Sequence, residues 1–158
     1  MAIAKFLHVS EAQYAASTLP GVLPVDAIPL PRRATAGSAG YDFVTPAAVT
    51  LAPGEAITIP TGIRCEMQPG WVLMLFPRSG LGFKHQVRLA NTVGVIDADY
   101  FHAANEGHIM VRLVNGGDHT VTIAQGERFC QGVFLPHGLA EEDEVLADRE
   151  GGFGSTGK

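Results

Sequence analysis

Arg78, Ser79 and Gly80 stand directly behind the apolar run 71–76, where a buried strand stops. A guanidinium offers a forked pair of donors to phosphate oxygens, a hydroxyl adds another, and a glycine lets backbone N–H groups approach an anion. The lysine and spacing of the common ATPase phosphate loop are absent. Further on, Asp97 follows the apolar pair Val95-Ile96. Partial burial there would keep a carboxylate dry and basic, as a general base requires. Asn91 carries both a donor and an acceptor, so it could read a base edge that has both. Tyr100 offers a ring on which a sugar could pack. Upstream, Ala36-Gly37-Ser38-Ala39-Gly40-Tyr41-Asp42 combines small residues, which permit close backbone approach, with one charge. Downstream lies Gly126-Glu127-Arg128-Phe129-Cys130-Gln131. If Phe129 faces inward, strand alternation sends Arg128 and Cys130 to the other face and keeps Gln131 with Phe129, unless a bulge intervenes. Each of these segments also suits an ordinary turn or loop built from Gly, Asp and Asn.

The chain closes on Glu150-Gly151-Gly152-Phe153-Gly154-Ser155-Thr156-Gly157, four glycines around one aromatic ring with two hydroxyls beside it. Such a segment loses much entropy on ordering and has few side chains to bury in return. It reads either as a frayed terminus or as a lid that closes on a flat, charged ligand.

The elements that must position these residues read as strands. Runs rich in branched and aromatic residues recur at 49–51, 56–59, 63–67, 71–76, 87–90, 109–114, 120–123 and 129–135. Pro53-Gly54, Pro69-Gly70, Asn115-Gly116-Gly117 and Gln125-Gly126 punctuate them. Turns at this spacing with no long helical period predict an all-β sandwich, barrel or jelly roll. Residues 1–22 read as an N-terminal arm, in which Ser10 and Gln13 form a capping box that opens a short helix over 11–16. Residues 23–140 form the β core. The acidic stretch 141–144 leads out of it into a tail over 141–158.

At 158 residues, 46% hydrophobic and 17% charged, the chain fits one domain with a good core. Its net charge of -5 argues against a nucleic-acid polymer as partner, though not against a single nucleotide held by a few arginines. Cys65 and Cys130 lie in apolar runs and read as buried thiols. The six histidines show no metal-ligand spacing and read as surface or loop residues. No stretch reaches the roughly 18 apolar residues of a membrane span. The expectation is a soluble cytoplasmic protein.

Taken in order and ending in GGFGSTG, the five segments resemble the five motifs of the trimeric deoxyuridine triphosphate nucleotidohydrolases, over most of the chain from about Pro31 to Gly157. The resemblance implies a jelly-roll-like β-barrel or sandwich subunit, assembled as a homotrimer with active sites at subunit interfaces. It implies Mg2+-dependent hydrolysis of dUTP to dUMP and pyrophosphate by water attack at the α-phosphorus. Asp97 matches the residue that orients and deprotonates that water. Asn91 and the backbone of Gly94, Val95 and Ile96 match the uracil-reading hairpin. Tyr100 matches the ring that packs on deoxyribose and leaves no room for a 2′-hydroxyl. Arg78, Ser79 and Gly80 match the phosphate-contacting segment, and Met110 a further nucleotide contact. Asp42 and Gln131 match groups that reach the metal through water or brace the phosphates, with no direct protein ligand to the metal. Arg149 and Phe153, with Gly154, Ser155 and Thr156, match the closing tail.

The sequence departs from the family pattern twice. Six residues, 101–106, separate Tyr100 from the next glycine where the family usually has one, which predicts a bulge or short loop beside the site. Arg149 stands four residues before Phe153, where many members have five. Two alternatives share the fold: a dCTP deaminase-type relative and a nucleotide-sensing regulatory protein.

Overall fold

Alternation of apolar and polar residues builds twelve strands and two short helices in the computed structural model, which describes residues 2–17 and 19–143. The largest sheet has the order β2-β3-β12-β7-β9. Its members are β2 (Arg32–Arg33), β3 (Tyr41–Val44), β12 (Arg128–Pro136), β7 (Trp71–Pro77) and β9 (Gly94–Asp97). A second sheet runs β5 (Ala56–Pro60), β10 (Met110–Asn115), β8 (Val87–Leu89). Two pairs complete the set: β1 (Ala4–His8) with β6 (Ile63–Met67), and β4 (Val49–Leu51) with β11 (Val121–Ile123). All pairings are antiparallel. The sheets do not close into a barrel; they stack as a sandwich of jelly-roll type.

One core joins the layers. Phe43, Leu73, Leu75 and Phe129 from the large sheet meet Ile59, Ile63, Leu89 and Leu113 from the others. Close packing requires glycine at 132, where a Cβ would lie 2.7 Å from Leu73 Cδ1 and 3.2 Å from Phe43 Cε2. No helix among the described residues is long and apolar enough to cross a membrane.

The eight expected strand regions are present with small shifts at their ends. Four strands and one helix are additional, the two-residue strand β2 among them. Strand β1 lies inside the segment read as an arm and pairs along its whole length with β6. Strands β3 and β9 occupy segments read as site loops, and helix α2 (Ser79–His85) follows β7 directly. Helix α1 (Glu11–Ala15) does begin at Ser10, whose Oγ accepts from Gln13 N at 3.1 Å. The reciprocal half of the box is supplied from elsewhere: Ser10 N–H donates to Glu106 Oε2 at 2.8 Å.

The histidine reading needs one correction. His108 is not a surface residue; it is 0% exposed. Polar partners make that burial affordable, because its Nε2 accepts from Gly62 N–H at 2.9 Å and its Nδ1 lies 3.4 Å from Ser17 Oγ. The lone pair is therefore on Nε2 and the proton on Nδ1.

Candidate active site

Asp42 is the centre of the best-defined polar cluster. Arg78 Nε lies 3.4 Å from its Oδ1 and Arg128 Nη1 lies 3.1 Å from its Oδ2. Strand register explains the meeting. Asp42 on β3 stands opposite Gln131 on β12, and Gln131 stands opposite Phe76 on β7. Residues directly opposite one another share a face, so this row lies on one side of the sheet. Burial alternates along β7, with Leu73 and Leu75 buried and Val72, Met74 and Phe76 only half-buried. The row therefore belongs to the outer face.

Simple alternation had placed Gln131 on the side of buried Phe129. A bulge between Arg128 and Cys130 reverses that. The extra residue lets Phe129 and Cys130 both bury, while Arg128 and Gln131 turn outward to join Asp42. Arg128, absent from the expected site residues, thus enters the cluster. The only sequence signal for it was the unresolved possibility of a bulge.

A cavity of about 430 Å³ opens beside this row, lined by Ser38, Gly40, Asp42, Arg78, Ser79 and Gln131 among others. Gly40 packs against the Gln131 side chain, so a Cβ there would displace the Gln131 amide. Arg33 shapes the rim by donating to the carbonyl oxygens of Ala36 and Ser38 at 2.7 and 3.0 Å. Ser79 and Gly80 open α2, whose first-turn N–H groups have no partner within the helix. A second hollow shares Phe76, Arg78, Ser79 and Gln131 and ends at Phe83, which is 91% exposed.

Of the remaining expected residues, 94–97 pair along β7 and bring Asp97 to its start. Asp97 stands opposite Val72, Ile96 opposite Leu73, Val95 opposite Met74 and Gly94 opposite Leu75. Asp97 is half-buried and Val95 is 56% exposed on the outer face. Asn91 is exposed at the turn that leads into β9. That turn is tight, with Thr92 at φ 68° and a 2.7 Å bond from Val93 N to Asn91 O. It is not a hairpin of mutually paired strands, because β8 pairs with β10 and β9 with β7. Tyr100 is 6% exposed, and its hydroxyl donates to His108 O at 2.8 Å. Met110 opens β10 opposite Pro60 and is half-buried.

Asp97 and the Asp42–Gln131 row therefore stand at different levels of one sheet face. Asp97 is level with Val72 and Gln131 with Phe76. Four residues at about 3.3 Å each separate the two levels by about 13 Å along the strand. Arg149, Phe153, Gly154, Ser155 and Thr156 lie outside the described residues. Among the described residues, no group of three or more His, Cys, Asp or Glu side chains is placed to hold a metal ion.

Fold and site together define an all-β, jelly-roll-type protein with an arginine-lined polar face. The sequence profile of the dUTPase family matches residues 26–157. The deoxyuridine 5'-triphosphate nucleotidohydrolase of Lactococcus lactis is 47% identical over 133 residues, spanning 82% of this chain and 89% of its own. That of Tolumonas auensis is 45% identical over 138 residues, spanning 82% and 88%. Among solved structures, the dUTPase of Streptococcus mutans is similar with a TM-score of 0.69 and 38% identity, covering 86% of this chain and 98% of its own. A mutant dUTPase from phage phi11 of S. aureus, described as coordinating a structural Mg(II) ion, shares the fold at a TM-score of 0.68 and 21% identity, covering 91% of this chain and 97% of its own. The chain belongs to the dUTPase family.

Proposed function

We propose that this protein hydrolyses dUTP to dUMP and pyrophosphate, as a cytoplasmic homotrimer whose active sites lie between subunits. The observation that carries the reading is the separation of Asp97 from the Asp42–Arg78–Gln131 row on one sheet face. A general base must come within about 3 Å of the water it activates. About 13 Å of strand is too far for one chain to attack a phosphorus and clamp its neighbours at once. A heterologous contact between neighbouring subunits of the trimer removes the difficulty, with Asp97 of one working against the arginine row of the next. Such an assembly also covers Val95 and Leu135, which are 56% and 43% exposed.

The roles proposed are those that the family resemblance implies. Asp97 holds the attacking water and takes its proton. Arg78, Ser79 and Gly80 receive phosphate oxygens, with Asp42 and Arg128 holding Arg78 in place. Asn91 and the backbone of Gly94, Val95 and Ile96 read uracil, Met110 adds a nucleotide contact, and the Tyr100 edge meets deoxyribose. Arg149 and Phe153, with Gly154 to Thr156, close over the bound nucleotide.

A triphosphate needs countercharge, and Mg2+ bound to its oxygens offsets their repulsion and polarises the reacting phosphorus. The donors present fit a hydrated ion carried in by the substrate. Both Asp42 oxygens are engaged by guanidinium groups, and Gln131 offers one amide oxygen, so neither forms a closed ligand set. Asp42 and Gln131 would meet the ion through its waters.

Pyrophosphate release measured side by side on dUTP, dCTP, dTTP and UTP tests the reading, with ammonia release from dCTP as a control. Preference for dUTP by at least about a hundredfold is expected. Equal rates across the four, or ammonia from dCTP, would overturn it.

A further inference from the structure

Five of the six residues at 101–106 exceed the family pattern, yet the segment makes a continuous polar network among the described residues. Asn105 Nδ2 donates to the Tyr100 hydroxyl at 2.8 Å, and that hydroxyl donates to His108 O at 2.8 Å. Asn105 Oδ1 accepts from Gly107 N–H at 3.2 Å. Bonds from Ala103 N to Tyr100 O, Glu106 N to Ala103 O and His108 N to Asn105 O fold the segment back against the tyrosine. Gly107 sits at φ +70°, and a Cβ there would lie 2.6 Å from the Tyr100 carbonyl oxygen, so only glycine closes this fold.

The segment is anchored at both ends. Arg64 lies 3.7 Å over the Phe101 ring, and its Nη2 donates to Phe101 O at 2.6 Å. At the other end the Glu106 carboxylate accepts from Ser10 N–H at 2.8 Å and from Ser10 Oγ–H at 2.6 Å. Helix α1 and strand β1 hold Ser10 in turn. The N-terminal segment and the inserted residues thus lock onto each other behind Tyr100.

We infer that residues 101–106, backed by the N-terminal segment, form a brace that immobilises Tyr100 and sharpens discrimination between deoxyribose and ribose, with Asn105 as the positioning residue. This rests on the proposed role of Tyr100 at the sugar. An apolar wall rejects an added hydroxyl by only about a hundredfold once there is space for it, so any give in the wall is felt directly. Asn105 acts through the far end of the tyrosine, gripping its hydroxyl and leaving the ring to the sugar in the role proposed for it.

Full-length wild type, Asn105→Ala, Tyr100→Phe and the double variant are compared for kcat/KM on dUTP and UTP. Loss of the Asn105 bond should raise UTP relative to dUTP by about tenfold while dUTP turnover stays within about threefold. In the Tyr100→Phe background, Asn105→Ala should add nothing, because the group it holds is gone. A variant whose melting temperature falls while its dUTP-to-UTP ratio stays put would reduce Asn105 to scaffolding and overturn the inference. If Asn105→Ala does not fold, Asn105→Leu keeps nearly the same volume without either polar atom and gives the same readout. Binding of non-hydrolysable dUTP and UTP analogues, measured in parallel, reports the brace even if the wild type fails to turn over dUTP. Failure of the functional reading and failure of the brace are thereby told apart.

Discussion

The outer face of the large sheet and the network behind Tyr100 treat polar groups in opposite ways. On the face, Asp42, Arg78 and Arg128 meet at 3.1 and 3.4 Å with both guanidinium groups partly exposed, a setting in which water weakens ion pairs. Behind Tyr100, the tyrosine and His108 are closed from solvent, and their polar atoms have fixed partners within the fold. The difference teaches a division of labour. Groups that must exchange a protein partner for substrate are left where exchange is cheap. Groups that set a shape are buried with partners whose loss is costly.

The sharpest break in that comparison comes at Asp97. Replacing it with Asn should lower turnover by about a thousandfold or more while leaving folding and nucleotide binding in place, as pre-steady-state rates and equilibrium titration will report. Turnover near the wild-type rate would move the chemistry off this face.

Acid should act on the buried region instead. Burial holds the His108 imidazole neutral in the folded chain and pushes its pKa down to about 4. In the unfolded chain the same group takes up a proton near 6.5. Between those values the unfolded state binds more protons, so stability is complete above about pH 6.5 and falls as the pH drops toward 4, by about 3 kcal/mol in all. The Glu106 carboxyl, held below its usual range by the Ser10 hydrogen bonds, adds a loss in the same direction at still lower pH. Urea unfolding at a series of pH values measures the slope, and His108→Gln should flatten it above pH 5.

Asp42→Asn should do least. It keeps the side-chain shape and one acceptor but removes the charge that gathers Arg78 and Arg128, for an expected fall of about fivefold in kcat/KM after allowance for solvent screening. Initial rates at saturating Mg2+ would reveal it. A loss as large as that at Asp97 would mean that Asp42 does more than hold an arginine.

Much of the fold could be read from turns and branched-residue runs, and the rest had specific physical reasons to hide. Helix α2 carries two glycines in seven residues, poor helix formers that read as loop. Strand β1 is only five residues long and directly precedes a helix cap, which drew attention to the cap. The bulge in β12 has no composition of its own, so alternation alone carried Gln131 to the wrong side. Site residues were legible because their types suit the chemistry. Supporting residues were not, since Arg128, Asn105 and Glu106 gain meaning only from partners 86, 5 and 96 positions away.

The bulge has a further consequence for the sulfur chemistry of the chain. The residue that turns Gln131 outward also seals Cys130, leaving its thiol wholly buried beside Asp42 and raising its pKa through burial first and that negative charge second. Cys65 is likewise buried, with its pKa pushed up to about 12. Oxidants and alkylating agents need an accessible thiolate, and neither sulfur offers one while the sheets stay paired. Thiol reactivity in this protein is therefore a clock for strand opening, of β12 from β7 at Cys130 and of β6 from β1 at Cys65, and the native fold can pass through oxidising conditions without its cysteines recording them.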